Sequence, residues 1–326
     1  MAYKKVYLKP GKEESLKRFH PWVFSGAIHH IEGEPEEGEI VDVYTSKKEF
    51  IACGHFQIGS IAVRVLTFRQ KEIDHDFWKH RLEVAYDLRR SLGLAGNPIN
   101  NTYRLVHGEG DNLPGLIIDA LESGNGEYLK KWADELQAKK INVVNMLGCH
   151  DGIPLLDLRG LLPEERIQSL IDIIVKRGGY VKDLHGEKKV YYQVNATYYS
   201  ALGENDKKML LARAIQMFMP GKPQVWYLDL FAGKNDYQAV ADAGDGGHKE
   251  INRTNLSMDE IKERLKWEVV QKQLELMRLR NSHPAFSETS QMTFLVQNNQ
   301  IHIMWKKDQF KLTLEADLKT LEWKIY

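Results

Sequence analysis

The sequence predicts a composite α+β / α/β chain. It reads as a small N-terminal β-barrel, a helix plus β-hairpin segment, and an incomplete (β/α) barrel fragment with a C-terminal antiparallel β domain. Three observations predict this. Short alternating apolar runs punctuated by glycine fill residues 1–72. Between residues 121 and 288, extended apolar runs alternate with helical stripes, as in a parallel barrel. From Gln291 onward only short strand-like runs remain. The predicted domains are therefore 1–72, 73–120, 121–288 and 289–326, and 326 residues suit two or three domains.

In the first region Gly38 to Tyr44 and Ile61 to Leu66 alternate as half-buried strands do, and glycines at 26, 33, 38, 54 and 59 separate the runs, which suits a twisted barrel. Asp74 is placed to cap a helix running to Leu92. Its stripe is Phe77, Trp78, Leu82, Ala85, Leu88 and Leu92, and Gly93 can serve as its C-cap. A hairpin is predicted next, with Tyr103 to Val106 and Leu116 to Ile118 flanking turn residues Asp111, Asn112, Pro114 and Gly115. The small, polar run Leu121 to Gly126 forms a natural seam.

Composition narrows the function classes. Lys+Arg and Asp+Glu both number 45, so no global field draws the chain to nucleic acid or to an anionic surface. No apolar run reaches the roughly 18 residues of a membrane span, and Met-Ala-Tyr-Lys-Lys-Val lacks a signal core, so no membrane partner is expected. The two cysteines, Cys53 and Cys149, have no metal spacing and suggest a reduced, cytoplasmic setting. No metal and no cofactor are expected.

At Lys17, Arg18, His20 and Trp22 basic and aromatic residues interleave, a pattern that can hold a phosphate and stack a base. On spacing alone, Phe19 and Trp22 in a core with solvated charges is the commoner arrangement. The run Arg18-Phe19-His20-Pro21-Trp22-Val23-Phe24-Ser25-Gly26 resembles the opening PUA domain of bacterial ribosomal-RNA cytosine-C5 methyltransferases. So does the run from Tyr103 to Asp119 (Tyr-Arg-Leu-Val-His-Gly-Glu-Gly-Asp-Asn-Leu-Pro-Gly-Leu-Ile-Ile-Asp), which resembles the segment just after that domain. The resemblance covers nearly all of residues 4–119. It implies a PUA-like barrel that binds structured RNA, followed in that family by a Rossmann methyltransferase that does not follow here.

The remainder opens with a helix near Glu127, carrying Leu129, Trp132, Ala133 and Leu136 on one face. An extended strand from Ile141 to Leu147 ends in Gly148-Cys149-His150-Asp151-Gly152, and polar residues at such a strand tip are where barrel enzymes place their chemistry. A helix from Leu162-Pro163-Glu164-Glu165 with the stripe Ile167, Leu170, Ile171 and Ile174 follows, then a helix from Asp206 to Met219. Gln224 to Phe231 reads as a second buried strand and Met258 to Asn281 as one long helix.

Asn145 to Pro154, Tyr191 to Gly203, Ala232 to Asp236 and Glu250 to Arg253 resemble the sucrose phosphorylase group of glycoside hydrolase family 13, especially the relatives acting on glucosylglycerate or sucrose phosphate. This resemblance covers about 124–326. It implies that Asp151 is the family's third acid, which supports the transition state, and that His150 is its sugar-binding neighbour. It also implies that Tyr192 and Gln193 belong to a mobile substrate loop and that Arg253 binds substrate. Without it, Arg253 reads as a surface cation and His150 as a satisfied strand-end histidine.

Retaining glucosyl transfer needs two carboxyl groups about 5–5.5 Å apart, one as nucleophile and one as acid/base. In the resembled family these lie on barrel strands this chain does not match. Glu109 and Asp111 are the acids that could be recruited instead, and nothing in their hairpin context places them at a sugar. The first reading is therefore a composite chain: an RNA-binding PUA-like module joined to an incomplete phosphorylase-like barrel, not catalytic alone, whose open strand edges invite self-association. The second is a glycosyl phosphorylase acting on a glucosyl sugar and phosphate. The third is an S-adenosylmethionine-dependent rRNA methyltransferase, suggested by Val225 to Gly233. It is opposed by Lys234-Asn235-Asp236, where further glycine is expected, and by the lack of a following strand ending in an acid. Gly124-Asn125-Gly126, Gly233-Lys234 and His29-His30 complete no dinucleotide, phosphate or metal motif.

Overall fold

The computed structural model describes residues 3–99, 103, 105, 112–183, 191–244, 246–287 and 289–326. The chain divides into two compact units, one built from residues 1–109 with 184–189 and the other from 110–183 with 190–326.

The first unit is a six-stranded sheet made of β1 (Lys4–Leu8), β2 (Trp22–Phe24), β3 (Ile28–Glu32), β4 (Ile40–Tyr44), β5 (Phe50–Phe56) and β6 (Ile61–Thr67). The spatial order is β2-β6-β5-β4-β1-β3. Only the β1–β4 pairing is parallel. The alternation seen in the sequence is the burial pattern: Val41 and Val43 point into a core with Val6, Leu8, Val23, Ala52 and Val63. Leu16, on the short helix α1 (Glu14–Lys17), joins that core. Gly54 is required where β5 meets β6, because a Cβ there would lie 2.2 Å from the Arg64 carbonyl oxygen. Helix α2 (His75–Ser91) starts where expected: the Asp74 carboxylate accepts from the Phe77 amide at 2.8 Å.

The second unit begins with a correction. No hairpin forms between residues 112 and 118. Leu113–Ser123 is a helix, α3, with Pro114 in its first turn and Gly124 as its left-handed C-cap. Every residue from Leu113 to Leu121 is buried. A helix that is apolar on all sides carries no period, so its sequence cannot be told from a buried strand. Gly115 lets α3 approach the Leu158 side chain, where a Cβ would lie 2.5 Å away. The candidate acids Glu109 and Asp111 lie outside the described residues.

Around α3 pack α4 (Glu127–Ala138), α5 (Glu164–Lys176), α6 (Tyr198–Ala201) and α7 (Asp206–Phe218), whose apolar faces share one core with α3. Charges lock α3 in place. Arg166 binds Asp119 with two hydrogen bonds of 2.8 and 2.7 Å and reaches Ser123 at 2.7 Å. Arg177 binds both oxygens of Glu122 at 2.9 and 3.0 Å, and Lys208 adds a contact of 2.6 Å.

The predicted strands of the barrel fragment are mostly irregular. The expected strand 141–147 is reduced to β7 (Val144–Asn145), and its parallel partner is β11 (Lys222–Pro223). Residues 224–231 are not a strand: Tyr227–Leu230 forms the helical turn α8, closed by Gly233 N–H donating to the Leu228 carbonyl at 2.7 Å. A separate antiparallel sheet, in the order β8-β10-β9, joins β8 (Ile153–Pro154), β9 (Tyr180–Asp183) and β10 (Tyr191–Asn195). The long predicted helix breaks into α10 (Met258–Arg264) and α11 (Glu268–Ser282), after the short α9 (Tyr237–Ala243). Ser257 and Glu260 form a reciprocal capping box at the start of α10.

The terminal sheet forms as expected: β12 (Gln291–Gln297), β13 (Gln300–Lys307), β14 (Phe310–Asp317) and β15 (Trp323–Ile325) make an antiparallel meander. The Trp305 indole N–H donates to the Phe218 carbonyl at 2.7 Å, tying the sheet to the end of α7. Among the described residues no helix is long and apolar enough to cross a membrane.

Candidate active site

The site is a tight turn after β7. Gly148 allows the chain to pass the Asp229 carboxylate, since a Cβ would lie 3.0 Å from Asp229 Oδ2. Gly152 closes the turn at φ +97°, and a Cβ there would meet the Val194 carbonyl oxygen at 2.5 Å. Between these glycines stand Cys149, His150 and Asp151.

Three successive carbonyls of this turn are held by side chains from elsewhere in the unit. Asn252 Nδ2 donates to Cys149 O at 2.7 Å. Arg253 Nε donates to His150 O at 3.1 Å. Gln193 Nε2 and Asn195 Nδ2, both on β10, donate to Asp151 O at 2.6 and 2.9 Å. Gln193, Asn195 and Asn252 are buried, so their bonds to the turn are shielded from competing water.

The side chains of the turn face solvent. His150 and Asp151 expose 59% and 50% of their side chains. His150 Nε2 lies 3.3 Å from Asp151 Oδ2, while Lys249 and Arg253 approach Asp151 Oδ1 at 3.6 and 3.5 Å. Arg253 also pairs with Glu250 at 3.2 Å. The Trp226 ring lies 6.1 Å from the His150 ring, forming an aromatic wall. A carboxylate ringed by three basic groups suits an anionic or polyhydroxylated ligand held by charge-assisted hydrogen bonds.

Of the residues predicted from sequence, His150, Asp151, Gln193 and Arg253 come together. Gln193 is buried beneath the turn on a strand, so its part is to hold Asp151. The backbone of Tyr192 lies on β10, and its side chain lies outside the described residues. Sequence reasoning missed Asn195, Asn252 and Lys249. Both asparagines lie within the runs Tyr191 to Gly203 and Glu250 to Arg253, each one or two positions from a predicted site residue.

Beneath the turn, Asp229 is buried, and burial pushes its carboxyl up to about 6 against the opposing pull of Arg213 and of the Gly148 and Tyr198 amides. Arg213 is itself fully buried; it donates to Gln273 at 2.9 Å and also to Gln216.

In the first unit, Lys17, Arg18, His20 and Trp22 occupy the turn from α1 into β2. Phe19 is 73% exposed and held at φ +62°, an unusual backbone for a bulky residue. The rings of His20, Trp22 and Phe24 cluster at 5.8–6.4 Å. Trp22 and Phe24 are exposed, so the expectation of a core Trp22 fails. Lys17 Nζ is paired with Glu14 at 2.7 Å.

Residues 6–68 match the family described as a PUA-like domain. The C-terminal part is homologous to sucrose-phosphorylase-type enzymes. The chain is 49% identical over 216 residues to the sucrose 6(F)-phosphate phosphorylase of Ilumatobacter coccineus, covering 64% of this chain and 41% of that protein. It is 39% identical over 218 residues to the enzyme of the same name from Thermoanaerobacterium thermosaccharolyticum, covering 64% and 43%. It is 35% identical over 221 residues to the glucosylglycerol phosphorylase of Marinobacter adhaerens, covering 66% and 45%. The crystal structure of sucrose 6F-phosphate phosphorylase from Thermoanaerobacter thermosaccharolyticum superposes with a TM-score of 0.64 at 31% identity, over 82% of this chain and 56% of that one. The chain thus spans under half the length of these curated relatives.

Proposed function

We propose that the second unit is a glucosyl-binding unit of the sucrose 6F-phosphate phosphorylase type. In this reading Asp151 supports positive charge developing on the glucosyl ring, and His150 hydrogen-bonds that ring. Arg253 and Lys249 meet a phosphate or phosphorylated sugar, and Tyr192 borders the substrate. The observation that carries the reading is the convergence of His150, Asp151, Gln193 and Arg253 on one clamped turn. It occurs in a chain that is 49% identical over 216 residues to a phosphorylase of that type.

Double displacement requires a nucleophile and an acid/base beside this turn. Among the described residues, the side chains that pair with the Asp151 carboxylate are basic: His150, Lys249 and Arg253. The reading therefore assigns the two reacting carboxyls to a complementing chain. Mixing this chain with the portion of the Ilumatobacter coccineus enzyme that it does not match, then adding sucrose 6F-phosphate and phosphate, is expected to release glucose 1-phosphate. Asp151→Asn should lower that release by a factor on the order of 10²–10³, as for loss of other transition-state stabilisers. Release that is indifferent to Asp151→Asn contradicts the assignment.

A second reading concerns the first unit alone. The exposed Trp22 and Phe24, clustered with His20 beside Arg18 on a PUA-like domain, support binding of structured RNA through Lys17, Arg18, His20 and Trp22. Arg18→Ala is expected to weaken RNA binding and reduce its log–log salt slope by about 1. An unchanged slope in filter-binding titrations removes Arg18 from the interface. Methyl transfer finds no comparable support: the carboxylate it needs, Asp229, is buried beneath the phosphorylase-like turn and sits on a helical turn.

A further inference from the structure

The turn between Gly148 and Gly152 carries three different metal-binding groups in a row. The Cys149 thiol, the His150 imidazole and the Asp151 carboxylate each offer a ligand atom, and these atoms all lie within 4.8 Å of one another. His150 Nε2 and Asp151 Oδ2 are 3.3 Å apart, close to the edge of a tetrahedron around an ion bonded at about 2.0–2.2 Å. Cys149 Sγ is turned into the same bend, accepting from the Asp151 amide at 3.4 Å.

From this arrangement we infer that Cys149, His150 and Asp151 form a site for a thiophilic divalent cation of the zinc class. Sulfur plus imidazole selects against magnesium and calcium, which prefer all-oxygen shells. Three protein ligands leave a fourth position open to water.

The site is preorganised. The carbonyls of all three ligand residues are fixed by Asn252, Arg253, Gln193 and Asn195, so little backbone freedom is lost on binding. The two nearby cations approach the other carboxylate oxygen, Oδ1. That leaves Oδ2 on the side of His150. Their positive charge weakens the site for a bare dication, which favours an ion that also gains a thiolate bond. Binding exchanges the thiol proton for the metal–sulfur bond, the proton passing to solvent.

Metal binding also has a consequence that rests on the phosphorylase reading. The ion occupies the carboxylate and imidazole assigned to the sugar, so zinc and sugar exclude one another at this turn.

The test uses the whole chain, reduced and freed of metal, with Co²⁺ as the optical probe and Zn²⁺ as its competitor. One equivalent of Co²⁺ is expected to produce a thiolate-to-cobalt charge-transfer band, which Zn²⁺ abolishes. Cys149→Ser should remove the band. His150→Ala should weaken Zn²⁺ binding at least about tenfold, the lower end of the loss expected when metal-site support is removed. Cys53→Ser should leave the band intact, because Cys53 is fully buried in the first unit. A band that survives Cys149→Ser overturns the proposal, as does Zn²⁺ affinity unchanged by His150→Ala. These spectra need no turnover, so they stand or fall separately from phosphorolysis.

Discussion

Replacing Glu122 with alanine is expected to lower the stability of the second unit by about 2–4 kcal/mol at neutral pH. Removing one member of a buried ion pair costs about 3–5 kcal/mol because its partners remain buried and unpaired. The range is lowered here because Arg177 keeps 24% of its side chain exposed and solvent screens it. Burial alone pushes the Glu122 carboxyl up, but Arg177 and Lys208 outweigh it and hold the group below the usual carboxylate range. A depressed carboxyl stabilises the fold above its unfolded pKa, and the contribution is lost as pH falls through the folded value. The penalty of Glu122→Ala should therefore shrink in acid, below about pH 4.5. Hydrogen exchange of the α3 and α5 amides across a urea series reads this unit specifically. A change under about 0.5 kcal/mol, typical of surface sites, would show that α3 is not held by this cluster.

Asp229→Asn is expected to act with the opposite pH dependence. Burial raises the Asp229 carboxyl to about 6 in the folded chain. The folded state then binds its proton more tightly than the unfolded chain does. This contribution is fully present below the unfolded value of about 4 and is lost as pH rises through about 6. Measured against the parent, the Asp229→Asn variant should thus gain on the order of 2–3 kcal/mol between about pH 4 and pH 7. A constant difference across that window would mean that Asp229 ionises in the fold as easily as in water.

Much of the fold was legible because local rules and tertiary packing agree. The Ile167–Ile174 stripe of α5 is buried as its spacing requires, and the strands β12 and β13 alternate. Asp74 caps α2 as expected, but no α2 residue is buried, so its apolar stripe marks no core face. Legibility failed where apolar residues run together. Leu113 to Leu121 is buried on all sides, so neither a period of two nor one of 3.6 could identify α3. Val225 to Phe231 has the same ambiguity, and the turn made by Ala232 at φ +47° with Gly233 decides for α8.

The site was legible in part. His150, Asp151 and Arg253 were singled out by short motifs, and the fold brings them to one turn. Asn195, Asn252 and Lys249 were not, because side-chain contacts to a turn more than forty residues away leave no periodic trace. The polar strand-tip rule located the turn, yet β7 itself supplies only Val144 and Asn145. What fixes the tip is its three clamped carbonyls and its two flanking glycines.

Ligand-observed NMR of the intact chain with glucose 1-phosphate tests the proposed sugar site most directly. Saturation transfer to the glucosyl protons is expected, together with its loss in both Asp151→Asn and Arg253→Ala. No transfer to the parent chain, or transfer that persists in both variants, would contradict a glucosyl site at the Cys149–Asp151 turn.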